Sequence, residues 1–151
     1  PMYGSMTVPV VFSMHHDMGP TLQAADLYRQ SFEPSPALAE PHLIVSASVL
    51  AADTDEEAQY QAGPARIIEL GRRHGRSTPL LSPADAAGHP DAAQAASMPS
   101  NRIVGDIESV VVSLEELAAH TGAAELMIAT VAHDLDVRLH CLDLLGRDWI
   151  D

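Results

Sequence analysis

The sequence predicts an α/β fold in which strand-then-helix units build a parallel sheet. Short apolar runs alternate with amphipathic stretches, and only 4% of the residues are aromatic, so the apolar side chains are mostly small or aliphatic. Such side chains suit strands that are covered by helices. Strands that alternate with helices imply parallel pairing and right-handed crossovers. With 151 residues, 46% of them hydrophobic, the chain can build the core of one domain.

The N-terminal part contains one predicted strand and one predicted helix. Residues 1–7 show no periodicity, which indicates an irregular segment at a processed or truncated end. Residues 8–12 are apolar and partly β-branched, which predicts a short buried strand. A helix is predicted from residue 19 to about Phe32, and Pro34 ends it.

A second strand and helix follow directly. Residues 42–51 combine aliphatic and small side chains, a pattern that predicts a strand buried on both faces. Asp53 or Thr54 is the predicted N-cap of the next helix, whose first turn carries acidic residues that complement the helix dipole. This helix is expected to reach His74 and to end at Gly75.

A long excursion separates the two halves of the pattern. Residues 77–101 are rich in proline, alanine, glycine and serine and show no strand pattern, so we predict a long loop or insertion. Its only predicted regular structure is one helical turn at residues 83–87. Segments of this length are either functional loops or disordered, and the sequence leaves both alternatives open.

The remaining residues predict a helix, a strand and a closing helix. Residues 103–106 are expected to lead into a helix over 107–120, residues 125–131 form a third buried strand, and residues 135–145 form the last helix. Three strands cannot close an eight-stranded (β/α) barrel, which takes about 250 residues. The pattern therefore predicts a piece of such a barrel or a small open sheet.

Charge and composition exclude several classes of partner. The formal net charge of -13, from 21 acidic and 8 basic residues, repels nucleic-acid phosphates and anionic lipid headgroups. The sequence has no apolar run of about 18 residues and no secretory signal, so we expect a cytoplasmic location. The single cysteine, Cys141, lies in an amphipathic helical pattern and is expected to pack rather than to react.

Several motifs occur in a fixed order. Residues 12–16 read Phe-Ser-Met-His-His, residues 28–35 read Tyr-Arg-Gln-Ser-Phe-Glu-Pro-Ser, and residues 52–58 read Ala-Asp-Thr-Asp-Glu-Glu-Ala. Later members of the series are Ile103-Val104-Gly105, Glu125-Leu126-Met127, His133-Asp134, Arg138 and Leu144-Leu145. In order and spacing, the series resembles the C-terminal half of the luciferase-like flavin-dependent monooxygenase family. The resemblance covers about residues 8–149, and Ser13, His16 and Ala124 depart from the family pattern.

The resemblance implies a fold and an activity. The fold would be the C-terminal part of a TIM (β/α)8 barrel, incomplete on its own, with residues 8–151 forming that part of the barrel domain. Family members are about twice this length, and their N-terminal strands and flavin phosphate cradle have no counterpart here. The implied enzyme uses reduced FMN and O2 to oxygenate a small organic substrate, and we expect the present chain to be inactive without the missing half.

Two alternatives to this function stay open. One is a deazaflavin-dependent dehydrogenase of the same superfamily. The other is a non-catalytic half-barrel module that binds or oligomerises through its open strand edges. Expected partners are a small-molecule substrate and either a second copy of the chain or the missing barrel half.

The resemblance also implies site residues at the C-terminal ends of the strands, where barrel active sites form. His15 or His133 would donate a hydrogen bond to an oxygen adduct of the reduced flavin. The residues expected to border the flavin are Phe12, Ser13, Met14 and Thr130.

Structural interpretations compete with these roles. His15 and His16 could be a polar strand end, and Asp134 is well placed as an N-cap of the last helix. A metal site from residues 15–17 is disfavoured, because adjacent side chains on an extended segment point apart and no spaced partner is evident.

Overall fold

The computed structural model describes residues 10–13 and 18–150, and of β1 and Met18 only the backbone. Predictions that concern residues 1–9, 14–17 and 151 therefore lie outside the described part. A π-helical turn at Gly146–Ile150 follows the last helix. The strands and helices are β1 (Val10–Ser13), α1 (Met18–Ser31), β2 (Leu43–Ala52), α2 (Asp55–Arg73), α3 (Pro83–Ala87), α4 (Ala92–Ser97), β3 (Ile103–Asp106), α5 (Ile107–Thr121), β4 (Glu125–Ala129) and α6 (Leu135–Leu145).

Strand β2 is the centre of the sheet, and its pairings with β1, β3 and β4 are all parallel, as predicted. Strand β1 pairs with residues 43–46 of β2, and β4 pairs with residues 44–48. Because a strand offers one edge to each neighbour, β1 and β4 must flank β2 on opposite edges. Strand β3 pairs with residues 49–52, farther along β2.

The prediction of three strands was wrong, since the described part contains four. Residues 103–106, predicted only to lead into a helix, form the short strand β3. This strand is four residues long and includes Gly105, so it carries little of the alternation that marks a strand in a sequence. Its hydrogen bonds to the end of β2 stabilise it instead.

The prediction of burial on both faces was wrong for the third strand and for the first part of β2, whereas residues 49–52 of β2 are all buried, as predicted. Residues 43–48 alternate between buried and partly buried positions, and in β4 exposed positions alternate with partly buried ones. Paired residues of parallel strands share a face, so Ser46 and its partner Met127 lie on the same open side. Met127 is 50% exposed there. Only the opposite face of this sheet is packed under helices.

The distribution of helices decides between the two predicted architectures. Val45 and Val49 lie in one apolar core with side chains from α1, α5 and α6, whereas Ser46 and Ser48 on the alternate positions stay partly accessible. A doubly wound open sheet carries helices on both faces, while a (β/α) barrel carries them on the outside only. The arrangement is therefore that of a barrel segment, as predicted.

Local capping signals place the helix ends. Thr54, one of the two predicted N-caps, accepts a hydrogen bond at Oγ1 from the backbone N–H of Glu57 at 3.2 Å. The other candidate, Asp53, instead contacts Nε2 of His140 at 3.1 Å. Helix α2 ends at Arg73, and Gly75 beyond it has a φ of 68°, as its predicted role as a helix stop requires.

Tyr28 and Phe32, four residues apart in the sequence, are in contact. The two rings meet edge to face with centroids 5.9 Å apart, and Tyr28 is almost fully buried. The Tyr28 hydroxyl also accepts a hydrogen bond from the backbone N–H of His42 at 3.0 Å. The end of α1 is therefore tied to the entry of β2.

The excursion at residues 77–101 contains more regular structure than predicted. The expected turn at residues 83–87 is helix α3, but α4 was not predicted. Ala86 and Ala95 pack with Ile67 and Leu70 of α2 in a second, smaller core. Helix α4 has only six residues, too few to be stable alone, so its contact with α2 stabilises it.

Two glycines with positive φ allow a matched test of the hydrogen bonds by which Arg29 of α1 contacts the end of α5. Arg29 donates to the carbonyl oxygens of Thr121 and Gly122, and a Cβ at Gly122 would lie 2.7 Å from its Nη2. A Cβ at Gly75 would meet nothing within 4 Å.

We expect Gly75→Ala to lower the free energy of unfolding by about 1 kcal/mol, the cost of a left-handed conformation. Gly122→Ala should cost roughly 2–3 kcal/mol, because Arg29 must also give up its hydrogen bonds. Urea unfolding followed by circular dichroism measures both. In an Arg29→Ala background the two costs should become equal, and equal costs with Arg29 present would contradict this account.

Candidate functional site

The strands end at different heights along β2. The last residue of β1, Ser13, is level with Ser46, and the last residue of β4, Ala129, is level with Ser48. Strand β2 continues to Ala52, where β3 pairs with it. Because parallel strands share one C-terminal edge, these ends form one stepped rim, and ligands of (β/α) barrels bind at such a rim.

The carboxylates and hydroxyls directly after the strands are used to begin helices. Asp106 accepts a hydrogen bond from the backbone N–H of Ser109 at 2.9 Å and another from its hydroxyl at 3.0 Å. Asp134 accepts from the backbone N–H of Asp136 at 2.9 Å, so its predicted role as an N-cap is confirmed. Thr54 caps α2 in the same way. These groups are therefore structural.

Thr130, a predicted cofactor-binding residue, differs from these capping groups. It follows β4 directly, and its Oγ1 is buried without a hydrogen-bond partner among the described residues. A buried hydroxyl without a partner destabilises a fold, and most buried polar groups are paired. A ligand or another chain segment that supplied a polar group here would remove that cost.

The other predicted site residues have mixed outcomes. His133 lies at the rim as expected, is exposed, and makes no ring hydrogen bond within the described part of the chain. Its catalytic role stays a prediction. Phe12 and Ser13 are the register partners of Val45 and Ser46 at the end of β1. His15 and Met14 lie outside the described residues, as does the disfavoured metal group at residues 15–17.

Two of these positions follow opposite edges of β2 and differ by three residues, about 10 Å, along the strand direction. Ser13 and Thr130 follow opposite edges of β2 at the height of Ser46 and just beyond Ser48. Strands two places apart in a sheet are separated by about 10 Å. Thr130 comes one residue after Ala129, the partner of Ser48 on the open face, so side-chain alternation directs it away from that face.

The open face carries a polar contact that the sequence analysis missed. Arg102 donates from Nη1 to the Ser48 hydroxyl at 2.7 Å and lies 3.9 Å from the Glu69 carboxylate. Burial lowers the pKa of Arg102, and the charge of Glu69 partly opposes that shift. The spacing of Ser46 and Ser48, two residues apart in a predicted strand, was the signal that one face is polar.

Cys141 has the structural role that the sequence predicted. It is fully buried, and its Sγ accepts a hydrogen bond from the backbone N–H of Ala51 at 3.2 Å. Helix α6 therefore packs against β2 beyond the point where β4 ends. No helix in the described ranges is long and apolar enough to cross a membrane.

The unpaired hydroxyl of Thr130 leads to a stability prediction. Thr130→Val removes a buried polar atom without changing the shape of the side chain, so the free energy of unfolding of the isolated chain should rise by about 1 kcal/mol. Thr121→Val is the matched control, because the Thr121 hydroxyl donates to the Leu117 carbonyl at 2.7 Å. That substitution should lower the free energy of unfolding by about 1 kcal/mol. A similar loss in both variants, measured by urea unfolding, would mean that the Thr130 hydroxyl is paired in solution.

The Asp106 cap leads to a pH prediction. Hydrogen bonds from the Ser109 backbone and hydroxyl lower the pKa of the Asp106 carboxyl. A pKa that is lower in the folded than in the unfolded state stabilises the fold above the ordinary Asp pKa, and this stabilisation is lost as the pH falls through the folded value.

Asp106→Asn keeps a capping oxygen but does not titrate. Above about pH 5, the difference in unfolding free energy between the natural chain and this variant should be constant. Below about pH 4, the natural chain should lose stability relative to the variant, because only its Asp106 carboxylate takes up a proton. Thermal unfolding across this pH range measures it. Ser109→Ala removes one of the two hydrogen-bonding groups and should reduce the change, and an unaltered difference down to about pH 3 would contradict the assignment.

Comparisons with known proteins agree with this geometry. No family model matches the chain. An uncharacterized Bacillus subtilis protein, YvbT, is 31% identical over 150 residues, which are 97% of this chain and 45% of that protein. A luciferase-like monooxygenase of Escherichia coli is 29% identical over 147 residues, 91% of this chain and 42% of the relative.

Solved structures show the same relationship. The crystal structure of apo-MsnO8 has a TM-score of 0.76 at 30% identity, over 92% of this chain and 44% of that one. The oxygenating constituent of a 3,6-diketocamphane monooxygenase from Pseudomonas putida, solved with FMN, shares the fold with a TM-score of 0.55 at 19% identity, over 93% of this chain and 41% of that one. The chain thus spans less than half of the length of these relatives, as the resemblance predicted, and its similarity to luciferase-like monooxygenases is confirmed.

Proposed function

We propose that the chain is the C-terminal half of an FMN-dependent luciferase-like monooxygenase that uses reduced flavin and O2 to oxygenate a small organic substrate. The observation that carries this proposal is the similarity to the E. coli luciferase-like monooxygenase, which extends over 91% of the chain. Because the chain covers only 42% of that relative, the activity would belong to the assembled barrel. We also propose a cytoplasmic location and no nucleic-acid partner.

The residues at the rim are compatible with part of a flavin site. The buried, unpaired hydroxyl of Thr130 could donate to or accept from a polar edge of the flavin ring system. The open face beside this rim carries Ser46 and Ser48, and the ring could lie against these residues. Flavin, when bound in its reduced form, supplies the electrons that activate O2.

This chain would contribute orientation and polar contacts to the reaction. Thr130 would fix the ring at one side, and His133, exposed at the same rim, would hold a proton near the reacting centre. The carboxylates of Asp106 and Asp134 are occupied as helix caps, so we do not assign them to the chemistry. The residues that bind the flavin phosphate would come from the complementary half.

A flavin titration tests this proposal. The isolated chain should not quench FMN fluorescence, whereas a chimera in which the unmatched part of YvbT precedes residues 1–151 should bind FMN. In the chimera, Thr130→Val should weaken binding by about tenfold, the effect of one lost hydrogen bond. His133→Asn should leave binding nearly unchanged and lower the rate of substrate oxygenation.

The controls separate the alternatives. Thr121→Val, whose hydroxyl bonds within α5, should not change FMN affinity beyond its effect on stability. Preferential binding of a deazaflavin would favour the dehydrogenase alternative. If a folded chimera binds neither cofactor, the flavin proposal fails and the non-catalytic half-barrel takes its place.

A further inference from the structure

A pocket opens at the C-terminal end of α2, away from the rim. It has a volume of about 370 Å³ and is lined by Ile68, Arg72, Gly75, Arg76, Ser77 and Thr78. Helix α2 begins beside the rim and has 19 residues, which at 1.5 Å per residue makes it about 28 Å long. A ligand in this pocket is therefore separate from a ligand at the rim.

The pocket contains hydrogen-bond donors that the fold does not use. The Arg72 guanidinium makes no hydrogen bond or ion pair within the described part of the chain, although acidic residues outnumber basic ones by 21 to 8. The hydroxyls of Ser77 and Thr78 also make no hydrogen bond to any described residue. A guanidinium and two hydroxyls together supply several N–H and O–H donors. Such a lining suits an anion with several acceptor oxygens.

The carboxylates beside the pocket already have partners. Glu69 pairs with Arg73 at 3.2 Å, and Asp91 pairs with Arg76 at 3.1 Å. The charge of Arg72 therefore has no counter-ion among the described residues. An anion bound beside it would supply one.

The charge of Arg72 acts on a neighbouring cation. Burial is the largest cause of the lowered pKa of Arg102, Glu69 opposes this shift, and the positive charge of Arg72 adds to it. The two guanidinium groups thus lie close enough to repel each other. An anion at Arg72 would reduce this repulsion.

A basic residue in the last turn of a helix also complements the helix dipole, and this role accounts for the presence of Arg72. It does not account for the loop that follows. Ser77 and Thr78 lie beyond the end of α2, yet they line the same pocket as Arg72. The pocket therefore combines charge and hydroxyl groups from two parts of the chain.

Contacts within the protein hold this loop in place. The backbone N–H of Arg76 donates to the Gly71 carbonyl at 2.8 Å, and the Arg76 side chain is fixed by Asp91. Thr78 lies directly over α2, since a Cβ at Gly71 would come within 2.6 Å of its Oγ1. Groups that are already positioned lose less entropy when a ligand binds.

We propose that this pocket binds a phosphate group, with Arg72 as the charged donor, Ser77 and Thr78 as hydroxyl donors, and Arg76 at its border. A phosphate dianion carries more charge and more acceptor oxygens than a carboxylate, and a guanidinium matches its oxygens in pairs. The apolar side chain of Ile68 suits the carbon part of a small phosphate ester. Because the pocket is remote from the rim, this site does not depend on the proposed function.

A phosphate titration followed by NMR tests the site. In phosphate-free buffer at constant ionic strength, added inorganic phosphate should shift the backbone amide signals of Gly75, Ser77 and Thr78 saturably. Arg72→Gln should weaken binding by about tenfold or more, and Ser77→Ala by roughly threefold, the effects of a charged and a neutral hydrogen bond. Arg147→Gln is the matched control, because its side chain is 60% exposed and the change in net charge is the same. It should leave phosphate binding unchanged.

Two further ligands distinguish the source of the phosphate group and its chemistry. Phenyl phosphate that binds several-fold more tightly than inorganic phosphate assigns the pocket to a small phosphate ester, whereas equal or weaker binding assigns it to the free ion. Malonate should not compete at equal concentration, and competition equal to that of phosphate overturns the assignment to a phosphate group.

Two other results overturn the site itself. One is the lack of any saturable shift up to about 10 mM phosphate, a concentration that would detect millimolar affinity. The other is an equal loss of binding in Arg72→Gln and Arg147→Gln, which would reduce the effect to net charge.

The flavin titration of the chimera is read separately. None of the six described lining residues is aromatic, so a phosphate ester in this pocket should not quench flavin fluorescence. In the chimera with YvbT, Arg72→Gln should leave the quenching of FMN unchanged. Loss of FMN binding in that variant would overturn the separation of the two sites, whereas phosphate binding without FMN binding would retain this pocket and reject the proposed function.

Discussion

Strand β2 hydrogen-bonds to β1 and β4 along its first six residues and to β3 along its last four, all in parallel. Parallel pairing forces each connection to cross the sheet, and here α1, α5 and α6 pack in one core against the same face of β2. The other face and the outer strand edges then have no cover within the described chain. Both the open rim and the uncovered strand edges follow from this one constraint.

The parts of the fold that depend on local chemistry could be predicted from the sequence. Thr54, Asp134 and Gly75 act through neighbours within a few positions, so their residue types alone indicate helix ends. Strand β3 and helix α4 depend instead on contacts with β2 and α2 that are distant in the sequence. The burial of β4 was mispredicted for a related reason, since aliphatic residues do not reveal whether a neighbouring element is present.

The candidate site likewise combines features that the sequence predicts with features that depend on distant contacts. Thr130 was identified because the family resemblance aligned the end of β4 with a cofactor rim, but the lack of a partner for its hydroxyl among the described residues is visible only in three dimensions. The contact between Arg102 and Ser48 joins positions 54 residues apart, and no local pattern could predict it. The flavin role of Phe12 and Ser13 and the catalytic role of His133 depend on the resemblance and stay predictions.

The open face of the sheet combines apolar and polar side chains. Ile44 and Met127 are apolar, while Ser46, Ser48 and the Arg102 guanidinium at its edge are polar. A face built only to pack against another layer would be apolar throughout, since each buried polar group needs a partner. A face built only for water would not carry Met127. The mixture suits the wall of a cavity, where apolar surface receives a ring system and a few fixed polar groups orient it. This composition supports the proposal that the half-barrel contributes one wall of a binding cavity.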